Sequence, residues 1–220
     1  TNQAMGFMGS PERVLKQVFP LGEHPNYEPA ETDSVAGIAA DRGQGALEVM
    51  YELLLGAEGR ELFYQPLGAY SDFNLDERRE TMQHPNVVMG LSDGGAHCGV
   101  IADAGMPTFI MTHWARDRTR GERLPLEFIV HSLSARTAAA YGIRDRGTLE
   151  PGKLADVNVI DFDRLRLYRP EAVFDLPLGG RRLIQRVDGY DYTLKSGEVT
   201  FAGGEPTGAR PGSLVRGGAT

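Results

Sequence analysis

Gly147-Thr148-Leu149-Glu150-Pro151-Gly152-Lys153-Leu154-Ala155-Asp156-Val157-Asn158-Val159-Ile160-Asp161 is where the chain changes character. Pro151-Gly152 is a turn dipeptide, and residues 154–160 follow it as an apolar run of strand type. Further on, Tyr192-Thr193-Leu194-Lys195-Ser196-Gly197-Glu198-Val199-Thr200-Phe201 reads as a hairpin around Ser196-Gly197. Residues 147–203 are thus expected to be β-rich, followed by a Gly/Pro-rich tail. The expected organisation is two domains, 1–146 and 147–220.

Upstream of that stretch, helix and strand signals alternate. Ser10-Pro11 is a helix start, and Leu47, Met50, Tyr51, Leu54 and Leu55 form one apolar stripe over 46–55, stopped by Gly56. Residues 62–67 read as a short buried strand. Asn74-Leu75-Asp76-Glu77 resembles a capping box, and His84-Pro85 closes the helix it opens. Val87-Val88-Met89-Gly90-Leu91 is a second strand-type run, and a helix carrying Leu126, Ile129, Val130, Leu133 and Tyr141 ends at Gly142. Strand–helix alternation with short connections is the grammar of a parallel α/β domain. Two such units do not close a barrel, which needs about 250 residues. A chain that starts at Thr1 is therefore expected to be part of something longer, or to be completed by another chain.

Composition narrows the function classes. The 220 residues carry 23 basic and 30 acidic side chains, a formal charge of -7, without Lys/Arg runs. Nucleic acid and anionic membrane surfaces are poor partners for such a chain. No apolar stretch approaches the ~18–20 residues that span a bilayer. The 28 glycines and 13 prolines make under a fifth of the chain, short of the ~25–30% of low-complexity segments. The single Cys98 cannot form an internal disulfide, which fits a reducing compartment, and the expected location is the cytoplasm.

The densest polar cluster, Gly90-Leu91-Ser92-Asp93-Gly94-Gly95-Ala96-His97-Cys98-Gly99, directly follows the strand-type run at 87–91. In parallel α/β folds ligands bind at the carboxyl ends of strands. A carboxylate there can hold a metal or take a proton from water, so Asp93 is the candidate catalytic residue. Gly94 and Gly95 let backbone approach a substrate closely, and His97, four residues beyond Asp93, can touch the same substrate. The plain reading is a turn, since Asp-Gly is common loop chemistry. Gly90-Leu91-Ser92-Asp93-Gly94 also matches G-x-S-x-G, the nucleophile elbow of serine hydrolases, although a glycine-rich loop follows where that elbow needs a helix. The histidines at 24, 84, 97, 113 and 131 include no H-x-H and no HExxH, so a self-contained zinc site with three protein ligands is not expected. His113 and His131 fall in helical patterns as packing or surface residues, and Cys98 reads as a small buried residue.

Residues 90–97, together with the G-x-L-x-P-G-x-x-A-D stretch at 147–156, resemble the carboxyl-terminal part of the metal-dependent amidohydrolases. The closest likeness is to the N-acyl-D-amino-acid deacylase (D-aminoacylase) branch, whose end is similar to residues 203–217 here. The resemblance implies an α/β fold: the terminal βα units of a (β/α)8 TIM-type barrel, plus part of a small β-sandwich domain. It implies that Asp93 stands at the end of the eighth barrel strand, ligates the metal and shuttles the proton of the attacking water. One or two zinc ions are implied for the complete barrel, with the segment itself lacking the other histidine ligands. The implied reaction is cleavage of an amide-type C–N bond in an N-acyl-D-amino acid, with the amino-terminal part of the barrel as partner. Self-association is expected of the open sheet edge, and neither nucleic acid nor membrane. The alternatives are a non-catalytic amidohydrolase-like scaffold and a serine hydrolase using Ser92.

Overall fold

The computed structural model describes residues 10–66, 70–90, 92, 94, 95 and 97–215. They fall in two compact units, Thr1–Glu77 and Arg78–Thr220. The first holds α1 (Pro11–Leu15), β1 (Phe19–Pro20), α2 (Val35–Arg42), α3 (Ala46–Leu54) and β2 (Phe63–Tyr64). Ser34 starts α2 by accepting the Gly37 amide on its Oγ at 3.0 Å, the hydroxyl cap that satisfies an orphan N–H. Leu15, Val18, Val35, Ala39 and Val49 form the core, with Ala46, Met50 and Leu53 packed against it. Each buried valine or leucine among them contributes roughly 1.5–3 kcal/mol. Phe19 meets Tyr70 and Phe73 edge to face beside it.

The helix expected over 46–55 is present as α3, but its buried face is not the expected one. Val49 is fully buried, whereas Leu47, Tyr51 and Leu55 are 57–65% exposed. Ala46, Val49, Met50 and Leu53 share the same i, i+3, i+4, i+7 spacing, so α3 is apolar on both sides and α1 and α2 cover only one. The strand expected at 62–67 is the short β2, paired antiparallel with β1 and half-buried; Leu67 lies outside the described residues.

The second unit runs from α4 (Asp76–Gln83, whose first two residues still belong to the first unit) through a long helix to a β-rich region. Asn74 Oδ1 accepts the Asp76 amide at 3.0 Å, an Asx turn leading into α4 at the place where the sequence suggests a capping box. α5 (Met106–Phe109) continues as π-helix over Ile110–Asp117. α6 (Leu126–Leu133) and α7 (Ala135–Ala140) replace the single helix expected to end at Gly142. The break is at Ser134 (φ -123°, ψ -87°), whose Oγ donates to Val130 O at 2.5 Å, a side-chain bond that competes with the helical one.

Among the described residues, eight of ten strands lie beyond residue 156: β3 (Val157–Ile160), β4 (Arg166–Leu167), β5 (Glu171–Leu176), β6 (Gly180–Ile184), β7 (Val187–Asp188), β8 (Tyr190–Lys195), β9 (Glu198–Ala202) and β10 (Glu205–Pro206). They form a sheet ordered β10-β9-β8-β3 and the pairs β4-β7 and β5-β6. The hairpin predicted around Ser196-Gly197 is β8–β9, with φ of 53° and 85° at its two turn residues, as a primed turn requires.

Mixed helix and sheet is thus the architecture, but every ladder between described strands is antiparallel. The parallel strand expected at 87–91 is not formed over 87–90, and Leu91 lies outside the described residues. A parallel strand gains its stability from neighbours and covering helices, and no described strand pairs with this run.

The long helix is fixed to the β-rich region by Arg116. Its guanidinium donates to the carbonyls of Phe162, Asp163 (3.3 Å) and Leu165 (2.7 Å), and it also pairs with Asp117 at 2.6 Å. It lies 5.3 Å from the Phe162 ring centre. At the other end of the helix, Gly105 has no room for a side chain: a Cβ there would come 2.6 Å from Leu167 Cδ1. Arg116→Ala should lower stability by about 3 kcal/mol, because three carbonyls lose a charged donor. Arg116→Lys should recover less than half, since one ammonium cannot span the fork. Urea unfolding followed on Trp114, the sole and buried tryptophan, measures both. A loss below about 1 kcal/mol for the alanine variant would contradict this role.

Candidate functional site

Asp93, the candidate catalytic residue, lies outside the described residues together with Leu91 and Ala96. Its neighbours define the loop that carries it. Ser92 is half-buried, while Gly94, Gly95 and His97 are exposed. Gly95 (φ 99°) and His97 (φ 45°) both take left-handed backbone, which turns the chain twice within three residues. The His97 carbonyl accepts the amides of Val100 (2.8 Å) and Ile101 (3.0 Å). Gly94 abuts the start of the long helix, where a Cβ would meet Ala104 Cα at 3.1 Å. Gly94 therefore lies against Ala104, ten residues further on.

The described residues around Ser92 do not show the strand-to-helix geometry of a nucleophile elbow. That geometry runs a strand through the serine straight into a helix. Among the described residues no strand leads directly into Ser92, since 87–90 form none, and the first helical residue after it is Asp103.

Two contacts from far along the chain hold the loop. The Leu183 amide donates to Cys98 O at 2.7 Å, and Arg181 Nη2 donates to Gly99 O at 2.9 Å. Both donors sit on β6, and Arg181 is 82 residues beyond its acceptor. Neither showed in the sequence, because no local pattern pairs a β-hairpin with a loop so distant.

Three further histidines lie in the second unit. His84 Nδ1 accepts the Asn86 amide at 3.2 Å and its carbonyl accepts Arg136 at 2.7 Å. His113 is stacked on Phe109, ring centres 4.7 Å apart, and His131 is exposed on α6. Both match the packing and surface roles expected for them. No group of three His, Cys, Asp or Glu among the described residues is placed to hold a metal ion. By themselves these residues do not fit zinc, which takes three or four such donors. Likewise, no helix among them is long and apolar enough to cross a membrane.

Asp156, the acidic end of the 147–156 stretch, has a structural task that the sequence did not disclose. Its Oδ1 accepts Lys195 Nζ (3.0 Å) and the Ser196 amide (2.8 Å), and its Oδ2 accepts Arg146 (2.8 Å). It thereby fastens the entry of β3 to the β8–β9 turn. Partial burial pushes its carboxyl up, but the Ser196 amide, Lys195 and Arg146 outweigh that and hold it below the usual carboxylate range.

Compared with protein families, residues 21–201 match the one described as "Amidohydrolase family". Comparisons with curated proteins and with solved structures found no match.

The Asp156 cluster has a signature in pH. A depressed folded carboxyl stabilises above its unfolded value of about 3.9, and that contribution is lost as pH falls through the folded value. Asp156→Asn should therefore be less stable than the parent at about pH 6, and the gap should narrow below about pH 3.9. Urea midpoints across that range test it; a gap that stays constant would show that the carboxylate charge is not what matters.

Proposed function

Since the chain belongs to the amidohydrolase family, by a match that covers residues 21–201, we propose that it serves the hydrolysis of an amide-type C–N bond and that its substrate is an N-acyl-D-amino acid. The observation that carries the reading is the family match across both the Ser92-Asp93-Gly94-Gly95 loop and the 147–156 stretch. The likeness of residues 203–217 to the end of the D-aminoacylase branch supports the finer substrate class. In this reading residues 1–146 supply the late βα units of a barrel and 147–220 supply strands of the small β-domain. The rest of the barrel comes from an amino-terminal part, and self-association covers apolar surface such as Leu47, Tyr51 and Leu55 of α3. The single cysteine is the reason to propose the cytoplasm.

Asp93 is the proton acceptor. A water oxygen attacks the substrate carbonyl carbon while the carboxylate takes the water proton, the C–N bond breaks, and the same proton passes to the departing nitrogen. The products are a carboxylate and a free amine. Gly94 and Gly95 allow the substrate backbone to approach without a Cβ in the way, and His97, which is exposed, contacts its polar groups. Members of the family are generally metal-dependent. Since the described residues do not gather three donors, zinc would take Asp93 and ligands from the complete barrel.

Asp93→Asn keeps size and hydrogen bonding but removes the charge and the base. In the intact protein kcat should fall by at least about 10²-fold, the usual lower range for general-base catalysis. Ser92→Ala should stay within about tenfold. Amine release from N-acyl-D-amino acids measures both. Loss of activity in the serine variant with retention in the asparagine variant would falsify the reading in favour of an acyl-serine.

A further inference from the structure

We infer that a cleft at the end of α7 binds a small phosphate monoester through Arg144, Arg146 and Lys153, a site independent of the proposed hydrolysis. The cleft has a volume of about 420 Å³, within the roughly 300–1,000 Å³ of small-molecule sites. Its polar wall is Arg144, Arg146, Lys153 and Thr148, and no acidic residue lines it. The chain as a whole carries a net charge of -7. Three cations facing one cleft, with no carboxylate among the lining residues, therefore favour an anion there against the overall field. Ala135, Ala139 and Ile143 line the rest, an apolar surface for the alkyl part of an ester.

Local structure holds both sides of this cleft in place. α7 ends in a Schellman motif: the Gly142 amide (φ 69°) donates to Ala139 O at 3.0 Å, and the Ile143 amide donates to Ala138 O at 2.9 Å. Two carbonyls of the helix end thus have amide partners, which offsets their repulsion of an anion. On the other side Gly147 packs on α7, where a Cβ would come 2.8 Å from Ala138 Cβ. The Leu154 amide closes the 145–154 turn on Asp145 O at 2.8 Å.

The three cations differ in how far they are already engaged. Arg144 is exposed, with no hydrogen bond or ion pair among the described residues. Arg146 is oriented by Asp145 at 3.0 Å and Asp156 at 2.8 Å. Lys153 Nζ donates to the Thr148 hydroxyl and pairs with Glu150 at 3.3 Å. The Asp145 and Glu150 side chains are more than half exposed, and surface pairs of that kind are weak. A phosphate monoester competes with them: it offers three oxygens and nearly two charges to two guanidinium forks and an ammonium. A carboxylate offers two oxygens and one charge, so the cleft favours the phosphate.

Isothermal titration calorimetry of the full chain, in about 0.1 M NaCl near pH 7.5 where the monoester is dianionic, tests the site. Propyl phosphate should bind one site per chain with a Kd of about 1 mM or below. Inorganic phosphate, which leaves the apolar side unused, should bind at least about threefold more weakly, and propionate at least about tenfold more weakly. Arg144→Gln, at a side chain with no printed role in the fold, should weaken propyl phosphate at least about fivefold. Glu150→Gln should tighten it about twofold by removing the competitor for Lys153. Arg210→Gln removes the same charge at another exposed arginine outside the cleft and should change nothing. No saturable binding below about 10 mM, or equal weakening in Arg144→Gln and Arg210→Gln, overturns the site. Propionate binding as tightly as propyl phosphate overturns the phosphate class, and inorganic phosphate doing so overturns the monoester.

Discussion

The guanidinium of Arg116 faces three backbone carbonyls of the β3–β4 connection, and much of the second unit depends on that fork. Carbonyls in a turn have no strand partner and must find a donor. One arginine supplies the donors in a fixed plane, and Asp117 steadies it from the helix side. Leu165, whose carbonyl it takes, is itself almost fully buried. The bond set therefore orients the helix at one end, while Gly105, tight against Leu167, sets the distance at the other. Thr108 and Tyr190 share a hydrogen bond of 3.0 Å between those ends.

That placement reaches the candidate site. The helix begins beside Ala104, and Gly94 packs on Ala104, so the helix start is also one wall of the loop that carries Asp93. The other wall is β6, through Leu183 and Arg181. The described residues of the loop are thus held from two directions by regular structure.

Local chemistry was legible in the sequence where one residue type answers one backbone need. Asn74 accepts the first amide of α4, Ser196-Gly197 turns the β8–β9 hairpin, and Pro151-Gly152 precedes β3, each as the residues require. Contacts set by distant chain were not legible. α3 offers two apolar faces, and only the packing of α1 and α2 chooses Val49 over Leu47 and Tyr51. The run at 87–90 has strand composition but no described partner, so it stays unpaired. Ser134 splits a helix whose apolar spacing is continuous, through a side-chain bond that spacing does not encode. Asp156 stood out in its motif, yet its work, joining β3 to a turn forty residues on, shows only in three dimensions.

Hydrolysis at the acyl carbon leaves an isotopic record that no binding or scaffold role can imitate. Incubation of the intact protein with N-acyl-D-amino acids in ¹⁸O-labelled water, followed by mass spectrometry of both products, reads it directly. The account predicts equal amounts of free amino acid and carboxylate, with one solvent oxygen in the carboxylate and none in the amino acid. No release of amino acid from N-acyl-D- or N-acyl-L-amino acids would contradict it.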